Sequence, residues 1–342
     1  MEKIRLGQTE LFVTKTAIGA LPVQRISKEE AKKLLRRAYE AGINYFDTAN
    51  AYSDSEEKLG LSLHDVRKNV VISTKSAGVD KKTVAAHIEE SLRRLQTDYI
   101  DLFQFHNPAV LPDPNDPDGP YGAALEAQKA GKIRYIGITN HRPAVAKAAV
   151  LSGDFATLQF PFCYLAAAPD YELVELCKTH QMGFIAMKGL SGGLLNNAEA
   201  CYAFMRQFDH VVPIWGVQHQ WELDQWLELS ARNPGMTPEI EAVIAHDRKD
   251  LAGDFCRSCG SCLPCPANID IPQSARMSAL LRRAVYQDFM TDQWHEKMHR
   301  IENCIHCDAC KSRCPYGLDT PALLQRQLLE YDAFYALHHN DR

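Results

Sequence analysis

Short apolar segments alternate with amphipathic helical patterns between residues 16 and 230. Runs of about four to eight apolar residues bounded by polar positions are typical of buried strands, whereas apolar residues about three or four positions apart indicate helices. The predicted strands are Thr16–Ala20, Tyr45–Asp47, Val70–Thr74, Tyr99–Gln104, Tyr135–Thr139, Thr157–Pro161, Gly183–Met187 and Val211–Ile214. The helical patterns are Lys28–Ala41, Glu56–Leu63, Lys81–Leu95, Ala123–Ala130, Pro143–Leu151, Tyr171–Thr179, Glu199–Phe208 and Trp221–Ser230.

Eight strands that are each followed by a helix predict an α/β fold, a (β/α)8 TIM barrel, over residues 1–235. An open, doubly wound sheet would have the same pattern. Such a sheet usually carries a Gly-x-Gly-x-x-Gly turn after its first strand when it binds a dinucleotide, and this turn is missing from the sequence. Within the barrel, the Pro- and Asp-rich segment Leu111–Pro120 predicts an irregular loop, either a solvated one or one that borders the active site.

The pattern changes after the Pro- and Gly-containing segment Asn233–Pro238. Pro238–Leu251 is predicted to be a polar helix, Ser274–His299 is charged and helical in period, and Pro321–His338 has the pattern of an amphipathic helix. We therefore predict a second, small α-helical domain over residues 236–342.

Eight cysteines of this domain form two clusters, and each cluster ends in Cys-Pro. The two runs are Cys256-x2-Cys259-x2-Cys262-x2-Cys265 and Cys304-x2-Cys307-x2-Cys310-x3-Cys314. Thiolates are soft ligands that suit iron–sulfur clusters or zinc, and the second spacing is that of bacterial ferredoxins, whose fourth cysteine ligates the other of two clusters. The sequence thus predicts a dicluster ferredoxin-like domain with two [4Fe–4S] clusters and crossed ligation. One cluster would be held by Cys256, Cys259, Cys262 and Cys314, and the other by Cys304, Cys307, Cys310 and Cys265.

These cysteines could instead form zinc sites, which also use Cys-x2-Cys pairs. Disulfides are a weaker alternative, because the chain has no features of a secreted protein. An internal repeat supports paired centres. Cys265–Pro272 and Cys314–Pro321 share the motif Cys-Pro-x-x-aliphatic-Asp-x-Pro. Proline favours the start of a helix, with Thr320 as the predicted N-cap of the second copy.

Composition narrows the class of protein further. Of the 342 residues, 46% are hydrophobic and 24% charged, and the net charge of −5 provides no electrostatic reason to expect nucleic acid or an anionic membrane as partner. No apolar run reaches the roughly 18 residues of a membrane span, and the N-terminus lacks the apolar core of a signal peptide. We therefore expect a cytoplasmic protein. The isolated cysteines Cys163, Cys177 and Cys201 are expected to be buried, inert thiols.

Polar side chains follow three successive predicted strands of the barrel. Asp47 ends the second strand and Tyr52 follows it, Lys75 comes after the third strand and His106 after the fourth. The active site of a (β/α)8 enzyme lies at the C-terminal ends of its strands, so these four side chains are expected to meet there.

These residues resemble the aldo/keto reductase family, whose Asp, Tyr, Lys and His tetrad occupies the same strand ends. The resemblance covers nearly all of the first 230 residues. It includes Arg5–Thr9, Ala41–Ala49, Asp98–Leu102 and Lys132–Asn140. With the cysteine clusters, the chain is similar to the iron–sulfur branch of that family. This implies an oxidoreductase that transfers hydride between NADH or NADPH and a small carbonyl or alcohol substrate.

The resemblance implies a role for each member of the tetrad. Tyr52 would be the proton donor, and Lys75 would lower its pKa from the ordinary value near 10. Asp47 would pair with Lys75 and orient it. His106 would donate a hydrogen bond to the carbonyl oxygen and polarise it.

The resemblance also implies the residues that bind the nucleotide. Thr139, Asn140 and Gln159 would hold the nicotinamide carboxamide, since Asn and Gln both donate and accept hydrogen bonds. Met187 stands where the family often has an aromatic ring. Further candidates are Gly189, Gly192 and Gly193, in a loop suited to phosphate, and His219, the sole candidate cation in residues 216–225. The choice between NADH and NADPH stays open.

The fusion of a reductase with two clusters suggests electron exchange with a carrier protein. A cluster transfers one electron and a hydride carries two, so direct exchange needs a mediator such as a flavin, and no flavin fingerprint is recognisable. One alternative is a reductase with purely structural clusters. Another is a nicotinamide-binding redox sensor or regulatory subunit, against which the intact tetrad argues.

Overall fold

A computed structural model describes residues 1–251, 256–283 and 286–339. The chain divides into two compact units. The first comprises residues 1–189 and 198–237, and the second comprises residues 190–197 and 238–342. The predicted domains stay a prediction, and the last three residues of the second lie outside the described residues.

The first unit contains a closed barrel of eight parallel strands, which confirms the predicted fold class. Its strands are β1 (Lys3–Arg5), β2 (Phe12–Thr14), β3 (Ala17–Gly19), β4 (Tyr45–Asp47), β5 (Val71–Ser76), β6 (Ile100–His106), β7 (Ile133–Thr139), β8 (Thr157–Pro161), β9 (Gly183–Met187) and β10 (Val211–Gly216). Strands β3 to β10 follow one another around the barrel, and β10 pairs with β3 to close it. The sequence pattern thus located every barrel strand to within two residues at either end.

The helices of this unit follow the barrel strands in chain order. They are α1 (Lys28–Glu40), α2 (Ser55–Leu63), α3 (Lys81–Leu95), α4 (Pro120–Lys129), α5 (Pro143–Ser152), α6 (Ala168–Thr179), α7 (Ala198–Arg206) and α8 (Gln220–Arg232). Helix α1 shows why they form where they do. The Ser27 side chain accepts a hydrogen bond from the Glu30 amide, and Glu30 accepts one from the Ser27 amide, so two amides at the helix start are satisfied.

A short antiparallel hairpin of β1 and β2 precedes the barrel and was absent from the predicted elements. Leu6 and Leu11, in its turn, are buried in one apolar cluster with Tyr45, Val71 and Val212. These three residues lie at or near the starts of their strands, so the hairpin covers the N-terminal end of the barrel. The hairpin leaves uncovered the opposite end of the barrel, where the strands end and the tetrad is predicted.

The second unit is helical, as predicted. Its helices are α9 (Pro238–Asp250), α10 (Ile271–Ser274), α11 (Met277–Arg283), α12 (Asp292–His299), α13 (Ala309–Ser312) and α14 (Thr320–His338). None of the helices in the three described ranges is long and apolar enough to cross a membrane.

The helical period of Ser274–His299 is not realised as one continuous helix. Residues 284 and 285 lie outside the described residues, but breaks are visible elsewhere in the segment. Helix α10 ends at Ser274, and Thr291 starts α12 by accepting a hydrogen bond from the Trp294 amide at 3.3 Å. The pieces bury Met277, Met290 and other apolar side chains in a single core, because separate short helices can each turn their apolar side inward.

The internal repeat of the cysteine motifs is visible in the backbone. Ser258 and His306, Gly260 and Asp308, and Asn268 and Gly317 occupy equivalent positions, and all six have positive φ angles between 52° and 74°. Asp270 and Asp319 both precede a helix at the next equivalent position. The predicted N-cap Thr320 is wrong, because Asp319 caps α14 by accepting a hydrogen bond from the Ala322 amide at 3.4 Å.

Candidate active site and cysteine centres

The register of the parallel strands brings the predicted tetrad to one end of the barrel. Asp47 pairs with Ser73, the residue two positions before Lys75, and His106 pairs with Thr139. Tyr52 lies in the loop between β4 and α2. Because the carboxyl ends of parallel strands share one face of the barrel, all four side chains lie at that face.

Asp47 and Lys75 form a buried ion pair at the centre of the site. Lys75 Nζ lies 2.6 Å from Asp47 Oδ2 and donates a second hydrogen bond to the Thr48 carbonyl at 2.5 Å. The two side chains are only 3% and 1% exposed. Burial lowers the pKa of Lys75, and the neighbouring carboxylate of Asp47 opposes this effect.

Three further side chains donate to the Asp47 carboxylate. Ser73 Oγ donates to Oδ1 at 2.6 Å, Gln104 Nε2 to Oδ1 at 3.4 Å and Gln159 Nε2 to Oδ2 at 3.3 Å. Gln104 also donates to Gln159 Oε1 at 2.7 Å. The carboxylate is therefore hydrogen-bonded on both oxygens, which holds the Lys75 ammonium in one place.

Tyr52 lies against this ion pair, with its ring centroid 5.5 Å from Lys75 Nζ and 5.8 Å from the centroid of the His106 ring. Burial, with the charge of Asp47 as the second cause, raises the pKa of Tyr52 well above its ordinary value. In this structure burial therefore outweighs the expected lowering of the Tyr52 pKa by Lys75.

His106 is neutral in this environment. Burial and the nearby Lys75 charge lower the pKa of His106 to about 4. Its Nδ1 is buried and has no hydrogen-bond partner among the described residues. An imidazole that is neutral at physiological pH carries one N–H, which can donate to an oxygen placed beside it.

The loop that carries Tyr52 is anchored on both sides. The Asn50 amide donates to the Lys75 carbonyl at 3.0 Å, and the Asn50 side chain donates to Glu90 at 3.1 Å. Arg94 donates to the Asn50 carbonyl at 3.0 Å. These contacts fix the phenol relative to the ion pair.

The predicted carboxamide residues lie on neighbouring strands, since Thr139 pairs with Gln159. The Thr139 hydroxyl donates to a weak acceptor, Met187 Sδ, at 3.9 Å, so it can donate instead to a stronger acceptor on a ligand. Asn140 uses both polar ends of its side chain: it donates to the Pro108 carbonyl at 2.9 Å and accepts from the Arg142 amide at 2.8 Å. Its direct contact with a nucleotide stays a prediction.

The predicted phosphate glycines have different surroundings. A Cβ on Gly189 would lie 2.5 Å from the Trp215 ring, which itself stacks on Trp226 at 4.0 Å, so close packing requires this glycine. Gly192 and Gly193 have φ angles of +67° and +92°, which other residues rarely adopt.

The sequence did not predict two arginines that lie beside the proposed nucleotide-binding residues. Within the second unit, Arg276 Nη2 donates to the Ser191 carbonyl at 2.5 Å, next to Gly192. Beside the exposed His219, Arg37 of α1 donates to Gln220 at 3.1 Å and pairs with Asp224. Each arginine is far from its partners in the sequence, so only the folded structure shows that they are in contact.

Two groups of cysteines line two separate cavities of the second unit. One cavity is lined by Cys256, Cys259, Cys262 and Cys314, and the other by Cys262, Cys265, Cys304, Cys307 and Cys310. The fourth cysteine of each run thus lies with the first three of the other run, and Cys262 borders both cavities. This is the grouping that crossed ligation requires.

The cysteines offer a soft donor set that fits an iron–sulfur cluster. All eleven cysteines of the chain are free of disulfides. Burial raises the pKa of Cys256, and it raises that of Cys262 to about 12. Positive charge beside these thiols, such as that of cluster iron, would favour their thiolate form.

The isolated cysteines differ in burial. Cys177 and Cys201 are completely buried, and burial raises the pKa of Cys177 to about 12, as expected for an inert thiol. Cys163 is half-buried, so the expectation of a buried thiol is wrong there.

Comparison with known proteins identifies both parts of the chain. Residues 7–242 match the model of the aldo/keto reductase family. The chain belongs to this family of oxidoreductases. Residues 255–319 match a 4Fe-4S dicluster domain, so an iron–sulfur domain follows the barrel in the sequence of this aldo/keto reductase.

Individual relatives are moderately similar to this aldo/keto reductase. The uncharacterised oxidoreductase YqkF of Bacillus subtilis (strain 168) is 30% identical over 209 residues, which cover 57% of this chain and 67% of YqkF. Protein tas of Escherichia coli (strain K12) is 27% identical over 300 residues, which cover 71% and 85% of the two chains. The holo form of aldo-keto reductase AKR11C1 from Bacillus halodurans superposes with a TM-score of 0.62 at 24% identity, covering 72% of this chain and 96% of that one. That structural likeness supports the barrel fold.

Removal of the Lys75 charge is expected to destabilise the barrel. The variant Lys75→Met leaves the buried Asp47 carboxylate unpaired, and breaking a buried ion pair costs about 3–5 kcal/mol. Denaturant unfolding followed by far-UV circular dichroism measures this loss. The control Lys28→Met breaks the exposed Lys28–Glu57 pair and should change stability much less. Equal losses in the two variants would show that the buried pair has no special role.

Proposed function

We propose that the barrel interconverts a carbonyl and an alcohol on a small substrate by nicotinamide-dependent hydride transfer. We further propose that residues 1–235 form the reductase domain and that residues 236–342 hold two [4Fe–4S] clusters for electron transfer. The observation that supports the barrel chemistry most is the buried Asp47–Lys75 pair, 2.6 Å apart, beneath the rings of Tyr52 and His106.

The side chains of the site have distinct tasks in this proposal. NADH or NADPH, when bound, supplies the hydride. Tyr52 donates the proton to the carbonyl oxygen, and its raised pKa keeps it in the protonated form that a reduction needs. Neutral His106 donates a hydrogen bond to the same oxygen and stabilises the charge that develops there.

Lys75 and Asp47 act as one unit beneath the phenol. The Lys75 ammonium lies 5.5 Å from the Tyr52 ring and stabilises the phenolate left behind by proton transfer. Asp47, with Ser73, Gln104 and Gln159 around it, holds that ammonium in position. The side chains of the tetrad are therefore in place before a substrate binds, which lowers the reorganisation needed during the reaction.

The residues for nucleotide binding are proposed on the same basis. Thr139 and Gln159 offer a hydroxyl and an amide on adjacent strands, and Asn140 holds the loop that follows them. Met187 provides an apolar, polarisable surface beside Thr139. In the phosphate loop, Gly189, Gly192 and Gly193 are proposed to give the nucleotide access to backbone amides. His219 is the proposed cation candidate after β10, and Arg37 lies near it, bound to Gln220 and Asp224.

For the second unit, we propose Cys256, Cys259, Cys262 and Cys314 as ligands of one cluster and Cys304, Cys307, Cys310 and Cys265 as ligands of the other. The two groups of cavity-lining cysteines support this arrangement. Two clusters that each carry one electron together carry the two electrons of one hydride. The proposed partner is an electron-carrier protein, and a flavin is the class of mediator that would link one-electron to two-electron chemistry.

One anaerobic experiment tests the electron-transfer proposal. Iron and sulfide are counted in the purified protein, and EPR spectra are recorded before and after addition of NADH or NADPH together with a catalytic amount of free flavin as mediator. The expected result is about eight irons and a reduced-cluster signal that depends on the nucleotide. The nucleotide that produces the signal also settles the choice between NADH and NADPH.

Other outcomes separate the alternatives. About eight irons without a nucleotide-dependent signal, together with carbonyl reduction in a steady-state assay, would favour structural clusters. Nucleotide binding without turnover of any carbonyl would favour a redox sensor. Zinc in place of iron would contradict the cluster assignment and leave the reductase chemistry of the barrel untouched.

A further inference from the structure

Besides the eight cluster cysteines, the second unit brings two histidines and an aspartate together. His295 and His299 are on α12, and Asp332 is on α14. One ring nitrogen of each histidine and one carboxylate oxygen of Asp332 all lie within 4.8 Å of one another. Residues four positions apart lie on the same face of a helix, so both histidines face α14 and its aspartate.

His299 and Asp332 have the separation of two ligands on one metal ion. His299 Nε2 lies 3.2 Å from Asp332 Oδ1, and two ligands of a tetrahedral zinc ion at about 2.0–2.2 Å are about 3.3–3.5 Å apart. The Asp332 oxygen is buried and accepts no hydrogen bond of good geometry from the described residues, despite this short separation. A cation placed between this oxygen and His299 Nε2 would give the oxygen a partner.

The other nitrogen of His299 has a carboxylate partner. Nδ1 lies 3.0 Å from Glu302 Oε1, on the turn that follows α12. When Nδ1 carries the proton and donates to Glu302, Nε2 is the nitrogen that can bind a metal ion beside Asp332. A metal-bound histidine usually donates its second nitrogen to a carboxylate in this way, which fixes the tautomer and raises the basicity of the ligand.

The surrounding contacts hold the two helices in a defined relation. Tyr331, adjacent to Asp332, is fully buried, and its hydroxyl donates to the Phe289 carbonyl at 2.9 Å, just before α12. The ring of His295 lies 4.5 Å from that of Tyr335, one turn further along α14. The ligand groups are thus prearranged by packing on both helices.

We propose that His295, His299 and Asp332 bind a zinc ion that joins α12 to α14, with Glu302 as the partner of His299. Imidazole and carboxylate ligands suit zinc, and three protein ligands leave the fourth position to water. The site is chemically distinct from the cysteine centres, whose ligands are all sulfur. It does not depend on the proposed reductase chemistry.

Zinc binding is tested on the holoprotein, purified anaerobically with its iron content measured before and after incubation with zinc sulfate. After removal of excess zinc by gel filtration, zinc is counted and examined by X-ray absorption at the zinc edge. We expect one bound zinc with nitrogen and oxygen neighbours at about 2.0–2.2 Å and no sulfur neighbours at about 2.3 Å. Unchanged iron content shows that the cysteine centres are intact.

Variants assign the site. His295→Gln should lose the bound zinc, and Glu302→Gln should weaken zinc affinity about 10–100-fold, as is usual for a partner of a metal ligand. His246→Gln alters an exposed histidine on α9 and should bind zinc normally. The proposal is overturned by absence of zinc, by sulfur-coordinated zinc, or by His295→Gln and Glu302→Gln proteins that bind as the unaltered protein does. The Glu302 variant keeps all three ligands and remains informative if His295→Gln fails to fold.

Discussion

Tyr52→Phe is expected to lower kcat for carbonyl reduction by about 10²–10⁴-fold, the usual contribution of a general acid. The substitution removes the hydroxyl and keeps the ring that contacts Lys75 and His106. Affinity for NADH or NADPH should change little, because the phenol acts on the substrate oxygen. Steady-state kinetics with a small aldehyde panel and fluorescence titration of the nucleotide measure the two quantities separately.

The matched control is Tyr39→Phe, which removes a hydroxyl that accepts a hydrogen bond from Asn69 at 3.1 Å on an exposed part of α1. It should retain full activity. If Tyr52→Phe also turned over at the normal rate, the assignment of the acid would be wrong even though the barrel belongs to the aldo/keto reductase family.

Paired cysteine substitutions should distinguish crossed from sequential ligation. With crossed ligation, Cys256→Ser combined with Cys314→Ser removes two ligands of the same cluster, so the other cluster should stay intact with about four irons. Cys310→Ser combined with Cys314→Ser removes one ligand from each cluster, so neither should remain intact. Iron analysis and EPR of the reduced proteins report the number and type of clusters left.

Sequential ligation predicts the reverse. The pair at positions 310 and 314 would then damage a single cluster, and the pair at 256 and 314 would damage both. The two double variants remove equal numbers of cysteines, so a nonspecific effect of losing thiols would not produce opposite results. Cys201→Ser, at a buried cysteine of the barrel, is the control for a substitution outside the cysteine runs.

The strand ends show how far local sequence leads. Alternating strands and helices predicted the barrel because each strand buries a short apolar run and each helix an apolar face, and these patterns are local. Asp47, Lys75 and His106 lie at strand ends, so their shared location at one end of the barrel followed from the fold class. Their catalytic roles stay a prediction.

The cysteine runs also predicted the dicluster domain from the sequence, because the spacing of metal ligands within a run is a local property of the chain. The break-up of Ser274–His299 was not, since an N-cap such as Thr291 competes with helical period and packing decides between them. The sequence also did not indicate that Asp319 is the N-cap of α14, because Asp319 and Thr320 are adjacent and both residue types are favourable N-caps.

By itself, then, the sequence determined the fold class, the family and the presence of a dicluster domain, because hydrophobic periodicity and ligand spacing are properties of neighbouring residues. Only the tertiary structure decided the electrostatics of the site. Burial dominates the pKa of Tyr52, and His106 is neutral because it is buried beside the charge of Lys75. The meeting of His295 and His299 with Asp332 depends on how two helices pack, a relation between distant residues that no local pattern encodes.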